Sequence, residues 1–431
     1  MYDFHPYFTK DGSVGLYSPE FNDIYHSATG ALTEAYEKFV LPSNIDYLLQ
    51  TKSEIKVLDI CYGIGYNTKS FLNYIFEKFF EKNLSDAKDY APIYTNNQTY
   101  KDPEGSGAIY TNKITFKPRI TNEAIHTYNN LRKISVTAID NDKILMLLSP
   151  FIKTGEQNFR KYNSEIPYSR IHKYLENAYQ PEIIKIDNAI NFLLLEKIAG
   201  KYPEIFQNND IFEILSREKN SPFFEEDIRG IFEFYIKDEG NYSPSTTQNA
   251  FLHNIYYNHV SSSYKTGLEC LKTLNIDLDF KNDDARKVIM RDENKYNLIF
   301  LDAFTPSKCP CLWSFEFFKE LYNHLEQDGM LLTYSSSASV RGAMIEAGFA
   351  IGNIYSKREN KSFGTIAVKD KSLIKYELSE YDLGLLKTRA GIFYRDENLS
   401  GQNEAIIAAR NSEVKNSTRL SSSQYRAKHD L

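Results

Sequence analysis

With 431 residues, 42% of them hydrophobic, the chain is long enough for two or three domains, or for one large α/β unit with insertions. Its net charge of −6 does not indicate a nucleic-acid-binding protein, and it does not exclude one, because phosphate contact depends on a local basic face. No apolar run reaches the length of a membrane span and the N-terminus has no signal-peptide core, so we expect no membrane association.

Cysteine usage indicates a reducing compartment. Cys61, Cys270, Cys309 and Cys311 have neither a metal-ligand spacing nor the pattern of a disulfide framework. We therefore expect a cytoplasmic location and no bound metal.

The first clear helical pattern covers residues 30–41, where apolar side chains recur at helical spacing. Pro42 ends this helix, because its ring cannot continue the helical hydrogen bonding. Glu34 and Lys38 lie four residues apart on it. This spacing is typical of a surface ion pair that stabilises a helix by about 0.2–0.5 kcal/mol.

A glycine-containing turn follows the next short strand. Asp59 stands where a buried parallel strand should end, Gly63 and Gly65 allow a tight turn, and a helix pattern begins near Asn67. Glycine is expected here because a Cβ would block the close approach of the backbone to a ligand. The spacing D-x-x-x-G-x-G suits S-adenosylmethionine, which has no pyrophosphate group. The structural alternative is an ordinary strand-to-helix turn.

Two insertions interrupt the alternation of strands and helices. Residues 83–132 are polar and show no lasting apolar period, with a hairpin predicted around residues 108–116. Residues 150–250 are mostly helical by pattern, with apolar stripes over 183–198 and 228–235 that we interpret as core-forming.

A second strand is predicted over residues 134–140 and ends in Asp140. A carboxylate at this position can accept hydrogen bonds from both ribose hydroxyls of a nucleoside ligand. The alternative is a helix N-cap, because Asn141 and Asp142 precede a predicted helix over residues 143–148. The sequence leaves both interpretations open.

Two later strands also lead to acidic residues. Asp284 and Ala285 follow a strand over residues 276–280, where the carboxylate could accept a hydrogen bond from the adenine amino group. Asp302 ends a strand over residues 296–302. Ligands of open α/β sheets bind outside the carboxyl ends of the strands. One crevice is therefore predicted to be faced by Asp59, Asp140, Asp284 and Asp302.

The remaining elements complete a mostly parallel, Rossmann-like sheet in a domain predicted to span residues 1–370. They are a helix over 313–324, a strand over 329–334, a helix over 340–346 and a hairpin over 350–355 and 364–368. Residues 371–431 are polar and are predicted to be disordered, with a partner-binding extension as the alternative.

Several motifs, in the same order, resemble the MnmC-like methyltransferases of tRNA wobble-uridine modification. They are Tyr17-Ser-Pro-Glu-Phe-Asn-Asp-Ile-Tyr-His-Ser27, Gly30-Ala-Leu-Thr-Glu34, the turn from Asp59 to Asn67, Asp284-Ala285, Phe300-Leu-Asp-Ala-Phe-Thr-Pro306, Leu312-Trp-Ser314 and Val340-Arg-Gly-Ala-Met-Ile-Glu-Ala-Gly-Phe349. The D-x-F-x-P segment followed by a Trp is the most specific of these motifs. Cys61 replaces a glycine of the family, and no second glycine fingerprint indicates the flavin-dependent oxidase part that some members carry.

This resemblance implies a stand-alone class I S-adenosylmethionine-dependent methyltransferase that acts on the amine of 5-aminomethyl(-2-thio)uridine at the wobble position. It implies tRNA and the enzymes that install the aminomethyl group as partners. Asp302 is the expected catalytic group, with Phe304 and Pro306 positioning the amine. The expected cofactor-binding residues are Tyr25, Ser27, Glu34, Asp59, Gly63, Gly65, Asn67, Asp140, Asp284 and Ala285. Of these, Tyr25, Ser27 and Glu34 rest on the resemblance alone.

Two other functions remain open at the level of sequence. One is a methyl- or aminopropyl-transferase that acts on a small amine, and the other is a non-catalytic RNA-binding scaffold with the same fold. RNA contacts are predicted for the basic cluster Arg341, Lys357, Arg358 and Lys361, for which a solvated basic face is the alternative.

Overall fold

A seven-stranded mixed sheet is the centre of this computed structural model, which describes residues 5–9, 13–18, 23–25, 30–75, 99–101, 108–110, 131–152, 186–208, 210–211, 213–214, 274–356 and 361–428. In chain order the described strands are β1 (His5–Phe8), β2 (Val14–Ser18), β3 (Asp23–Tyr25), β4 (Glu54–Ile60), β5 (Thr99–Lys101), β6 (Ala108–Tyr110), β7 (Lys133–Asp140), β8 (Ile276–Asn282), β9 (Tyr296–Leu301), β10 (Leu325–Thr333), β11 (Ala350–Ser356) and β12 (Lys361–Val368). The predicted α/β class with a mostly parallel sheet is confirmed.

The order of the strands creates one position where a ligand crevice is expected. The central sheet runs β11-β12-β10-β9-β4-β7-β8, and the five strands from β10 to β8 are parallel. From β4 the chain adds β7 and β8 on one side and then places β9 on the other side of β4. Such a reversal opens a crevice beyond the carboxyl ends of the two strands where it occurs. Here these strands are β4 and β9.

The central strands are apolar because helices cover both faces of the sheet. All six residues of β9 are buried, and its apolar side chains divide between two hydrophobic clusters on opposite faces of the sheet. Leu298 and Phe300 join the cluster that contains the helix Ile186–Lys201. Ile299 and Leu301 join the cluster around Trp313. The helix confirms the predicted core stripe from Ile190 onward, whereas the stripe over residues 228–235 lies outside the described residues.

The predicted first helix is present but changes its pitch. It begins as the α-helix Ala31–Ala35, continues as the π-helix Tyr36–Val40 and ends as the 3₁₀ turn Leu41–Ser43, which contains Pro42. Asn44 then adopts a left-handed conformation with φ of 53°, which lets the chain turn into the helix Ile45–Thr51.

The two predicted hairpins have different outcomes. β11 and β12 pair antiparallel at the edge of the central sheet, as expected. In the first insertion, β6 pairs antiparallel with β5, which precedes it in the chain. Residues 111–116, the other part of the predicted hairpin, lie outside the described residues, so that hairpin stays a prediction.

The C-terminal segment is folded, which corrects the predicted disorder. It contains the helices Glu380–Leu386, Asn403–Asn416 and Ser422–Lys428. Tyr394, Leu399 and Ile406 are buried in the cluster around Trp313, and the Phe315 N–H donates a hydrogen bond to the Tyr394 carbonyl at 3.0 Å. A few apolar side chains spaced far apart in a polar segment therefore suffice to fix it. The domain limit at residue 370 stays a prediction.

Among the helices of the described residues, none has the length and apolar character that crossing a membrane requires.

Candidate active site at the ends of strands β4 and β9

The glycine turn begins immediately after β4. Cys61, Gly63 and Gly65 all have positive φ, at 63°, 58° and 86°. The Gly65 N–H donates to the Tyr62 carbonyl at 2.9 Å, and the helix over residues 66–75 follows directly. The predicted strand, turn and helix are therefore present in this order.

The two glycines are required for different reasons. A Cβ built on Gly65 would lie 2.4 Å from the Tyr62 hydroxyl, so this position must be glycine to accommodate a neighbouring side chain of the protein itself. A Cβ built on Gly63 meets nothing nearer than the Cys61 carbonyl oxygen, at 3.9 Å. The backbone at Gly63 therefore has room beside it for a ligand such as S-adenosylmethionine.

Cys61 shows how the turn tolerates a side chain where the family has glycine. A left-handed conformation costs a non-glycine residue about 1–2 kcal/mol, which the surrounding turn must offset. Burial and the nearby charges of Asp140 and Asp302 raise the pKa of the Cys61 thiol well above its usual range. The thiol is therefore neutral and adds no charge to the crevice.

Asp59 connects strand β4 to the helix that follows the turn. Its side chain is fully buried, and the Thr68 hydroxyl donates a hydrogen bond to Oδ2 at 2.6 Å. Within the described part of the chain Oδ1 has no hydrogen-bond partner. Burial raises the pKa of Asp59 to about 7. The prediction that Asp59 faces the crevice is wrong, because the residue lies inside strand β4 and its carboxylate holds the start of the next helix.

Asp140 lies against the outer side of the turn. Its Oδ2 accepts a hydrogen bond from the Gly63 N–H at 2.7 Å, and its Oδ1 accepts one from the Asp142 N–H at 2.8 Å. Burial raises the pKa of Asp140 to about 6. The N-cap alternative is wrong, since Asp142 caps the helix Lys143–Leu148. A carboxylate can accept about four hydrogen bonds, so Asp140 has capacity left beyond these backbone donors, and its role at the ribose stays a prediction.

Asp284 is already engaged by a neighbouring guanidinium. It caps the helix Ala285–Arg291 through the Arg286 N–H, and the Arg286 side chain lies 2.6 Å from its Oδ2. Burial acts to raise the pKa of Asp284, but its hydrogen bonds with Arg286 lower it. Arg286 also contacts Asp396 of the C-terminal segment at 2.7 Å. The role of Asp284 and Ala285 at adenine stays a prediction.

Asp302 joins the two strands that flank the crevice. Its N–H donates to the Ile60 carbonyl at the end of β4, at 3.2 Å, and Asn67 Nδ2 donates to its Oδ2 at 3.0 Å. Burial and the nearby charge of Glu34 raise the pKa of Asp302 to about 7, against the opposing effects of Asn67 and Lys38. Its carboxylate can therefore both accept and release a proton near neutral pH.

Two aromatic side chains hold the loop that follows Asp302. The Tyr334 hydroxyl donates to the Ala303 carbonyl, and Trp313 Nε1 donates to the Phe304 carbonyl, each at 2.8 Å. The two rings meet edge to face with centroids 6.0 Å apart. Trp313 belonged to a recognised motif without an assigned role. Tyr334 was predicted only as the last residue of a strand, and no sequence signal indicated its contact with this loop.

Glu34 and Lys38 form the predicted ion pair, but not on the surface. Their side chains are only 13% and 19% exposed, and both charges act on Asp302. The prediction of a surface pair is wrong because the helix presents this face to the crevice. Phe304 and Pro306 are half-buried in the loop after Asp302.

Other predicted positions are less informative or lie elsewhere. Tyr25 ends β3, and Ser27 lies outside the described residues, as do Lys357 and Arg358. Arg341 is buried, with its guanidinium bonded to Thr365 at 2.9 Å and Asn353 at 2.7 Å. Its predicted RNA contact is therefore wrong.

Comparison with known proteins finds similarity to S-adenosylmethionine-dependent methyltransferases. Residues 248–370 match the family model described as S-adenosyl-L-methionine-dependent methyltransferase. An uncharacterised protein of Methanocaldococcus jannaschii is 33% identical over 145 residues, which cover 31% of this chain and 40% of that protein. The bifunctional 5-methylaminomethyl-2-thiouridine biosynthesis protein MnmC of Burkholderia vietnamiensis is 37% identical over 67 residues, 16% of this chain and 10% of that protein.

A solved structure, MnmC2 from Aquifex aeolicus, aligns with a TM-score of 0.49 and 18% identity, covering 96% of this chain and 86% of that one. The chain thus matches less than half the length of its curated relatives. The predicted resemblance is confirmed by the family model over residues 248–370 and by the similarity to the MnmC relatives. S-adenosylmethionine is confirmed as the cofactor of that family.

Proposed function

We propose that this S-adenosylmethionine-dependent methyltransferase of the MnmC type transfers a methyl group to the aminomethyl group of 5-aminomethyl(-2-thio)uridine at the tRNA wobble position. The curated MnmC relatives carry the name of this modification pathway and support the choice of acceptor. A cytoplasmic location and contact with tRNA are part of the same proposal.

The observation that carries the proposal is the position of Asp302. Its carboxylate lies at the reversal of strand order, tied to the glycine-turn side of the crevice through Asn67. The loop after it is fixed by Tyr334 and Trp313. A rigid carboxylate beside a cofactor turn is the group that a reaction at an amine requires, because geometry and protonation state are both set in advance.

The cofactor contacts follow from the turn. We assign the ribose hydroxyls of S-adenosylmethionine to Asp140, and we assign Gly63 as the point where the cofactor passes close to the backbone. Asn67 connects this turn to Asp302 through its hydrogen bond. When bound, S-adenosylmethionine supplies a methyl group that its sulfonium has already activated. The protein then has to orient the amine in line and to take a proton from it.

Asp302 is suited to both tasks. A carboxylate that stayed fully ionised would hold an acceptor amine as its ammonium, which has no free lone pair. With a pKa of about 7, Asp302 can instead accept the proton that the amine must lose. A general base in this position contributes about 10²- to 10⁴-fold to the rate.

The test uses purified protein, labelled S-adenosylmethionine and tRNA from cells that lack the chain. We expect methyl transfer to this tRNA and none to putrescine or spermidine. Asp302→Ala should abolish transfer, with cofactor affinity by calorimetry nearly unchanged. Glu397→Ala, at an exposed position of the C-terminal segment, is the matched control and should behave as wild type.

Two results would contradict the proposal in different ways. Loss of cofactor binding in Asp302→Ala would make Asp302 a cofactor ligand. Methylation of the free polyamines in preference to tRNA would favour the small-amine function, which the several carboxylates around the crevice could also serve.

A further inference from the structure

We propose that Lys38 is a positioning residue that keeps the acceptor amine uncharged, by balancing the carboxylates of Glu34 and Asp302 on the acceptor side of the site. This inference rests on the proposed function, and it concerns a residue to which neither the motifs nor the relatives give a role.

Lys38 is held in one place by several contacts. It lies in the π-helix Tyr36–Val40, one turn after Glu34, and its Nζ donates to Glu34 Oε1. The same Nζ lies 5.5 Å from the ring centroid of Tyr334 and 5.8 Å from that of Phe363. Two aromatic faces and a carboxylate fix the ammonium, because each attracts a cation in a site with little water.

The charges near Lys38 act on one another through the crevice. Lys38 Nζ lies over the Tyr334 ring, and the Tyr334 hydroxyl donates to the carbonyl of Ala303, the residue after Asp302, so this charge lies on the Asp302 side of the crevice. The charge of Glu34 raises the pKa of Asp302, and the charge of Lys38 lowers it. Among the described residues, Tyr334, Cys61 and Cys309 are further titratable groups on this side, and burial helps to keep all three uncharged. Behind the turn, Asp59 and Asp140 add negative charge that acts on the same region.

This arrangement has a consequence for an amine that enters the site. Two carboxylates without a cation would retain the amine as ammonium, because each opposite charge favours the charged form. The positive charge of Lys38 neutralises the negative charge of Glu34, and it repels a second cation such as an ammonium group. Next to the amine this leaves the carboxylate of Asp302, which can itself take up the proton, while Asp59 and Asp140 lie beyond the turn and are themselves partly neutralised by their raised pKa values. Lys38 therefore makes the neutral, nucleophilic amine the favoured form.

The experiment compares rates of single-turnover methyl transfer as a function of pH, at saturating S-adenosylmethionine and with tRNA from cells that lack the chain. In Lys38→Met the acid limb of the pH–rate profile should move to higher pH by about one unit, which corresponds to a roughly tenfold loss of rate at pH values below the limb. At pH values above the limb the rate should equal that of wild type. Lys38→Arg should keep the wild-type limb, because it preserves the charge.

The double variant Lys38→Met/Glu34→Gln provides the matched control. It removes both members of the ion pair and restores the charge balance, so its limb should return to the wild-type position. A Lys38→Met variant that is slower by the same factor at every pH would overturn the proposal in favour of a structural role. A limb that Glu34→Gln does not restore would also overturn it, and so would an unchanged limb with weakened cofactor binding.

Failure of the proposed function would be recognised separately, because wild-type protein would then methylate no tRNA. The same variants would in that case be compared with putrescine as the acceptor, where the same shift of the limb is expected. If wild-type protein methylates neither acceptor, the Lys38 proposal is overturned as well, because a site without an amine acceptor has no use for this charge balance.

Discussion

Asp396 should link the C-terminal segment to the nucleotide end of the site, and its removal should destabilise the protein. Its side chain is 3% exposed and lies 2.7 Å from the Arg286 guanidinium, which is 11% exposed. Asp396 Oδ1 also accepts hydrogen bonds from the Ser400 and Gly401 N–H groups, at 3.1 and 2.8 Å. Asp396→Ala would therefore leave a buried cation and two backbone donors without this partner.

The expected loss follows from these contacts. Breaking a buried ion pair by removing one member costs about 3–5 kcal/mol. Arg286 keeps its contacts with Asp284 and with the Gly401 carbonyl, which are 2.6 and 2.9 Å long. We therefore expect the low end of that range, about 3 kcal/mol of the free energy of unfolding.

Urea unfolding followed by circular dichroism measures this loss, with Glu397→Ala as the control at the exposed neighbouring position. The control should unfold at the wild-type midpoint. Since Arg286 holds Asp284, Asp396→Ala should also weaken cofactor binding. An Asp396→Ala variant with the wild-type midpoint would refute this reasoning, because it would show that the C-terminal segment does not depend on the buried pair.

Two further predictions concern the glycine turn and its buried acid. Gly65→Ala should destabilise the protein and abolish cofactor binding by calorimetry, because its Cβ would overlap the Tyr62 hydroxyl. Gly200→Ala is the matched control, at an exposed position near the end of the helix Ile186–Lys201 where a Cβ meets nothing within 4 Å, and it should stabilise the protein by about 0.5–1 kcal/mol. Equal effects of the two substitutions would contradict the steric account. Burial raises the pKa of Asp59 to about 7, above its unfolded value near 4, so this residue makes folding less favourable as pH rises from about 4 to about 7. Asp59→Asn, which keeps an acceptor for Thr68, should therefore gain stability relative to wild type across that window in urea titrations, and a difference that does not vary with pH would count against the buried carboxylate.

The sheet could be predicted because its strands carry the signal locally. Runs of apolar and β-branched residues that end in Asp140 or Asp302 have the pattern of buried parallel strands, and both strands lie where expected. The carboxyl ends of parallel strands meet at one edge, so the crevice followed from the same pattern. The left-handed conformation of Cys61 could also be expected from the sequence, because this residue stands at a glycine position of a recognised motif.

What could not be predicted depends on contacts between distant residues. Asp59 and Asp302 look alike in sequence, yet only Asp59 is covered, because Thr68 folds back over it from the next helix. Arg341 appears as a surface cation until Thr365 and Asn353, from the terminal hairpin, enclose it. The burial of the Glu34–Lys38 pair was missed for the same reason, because the spacing identifies the partner but not the element that covers the pair.

The central claim is that the acceptor is the wobble uridine of tRNA, and nucleoside mass spectrometry on tRNA from cells with and without this chain tests it most directly. We expect 5-methylaminomethyl-uridine nucleosides to disappear without the chain, while their unmethylated 5-aminomethyl precursors accumulate. An unchanged set of modified nucleosides would contradict the proposed acceptor, leaving a methyltransferase whose substrate must be sought among small amines.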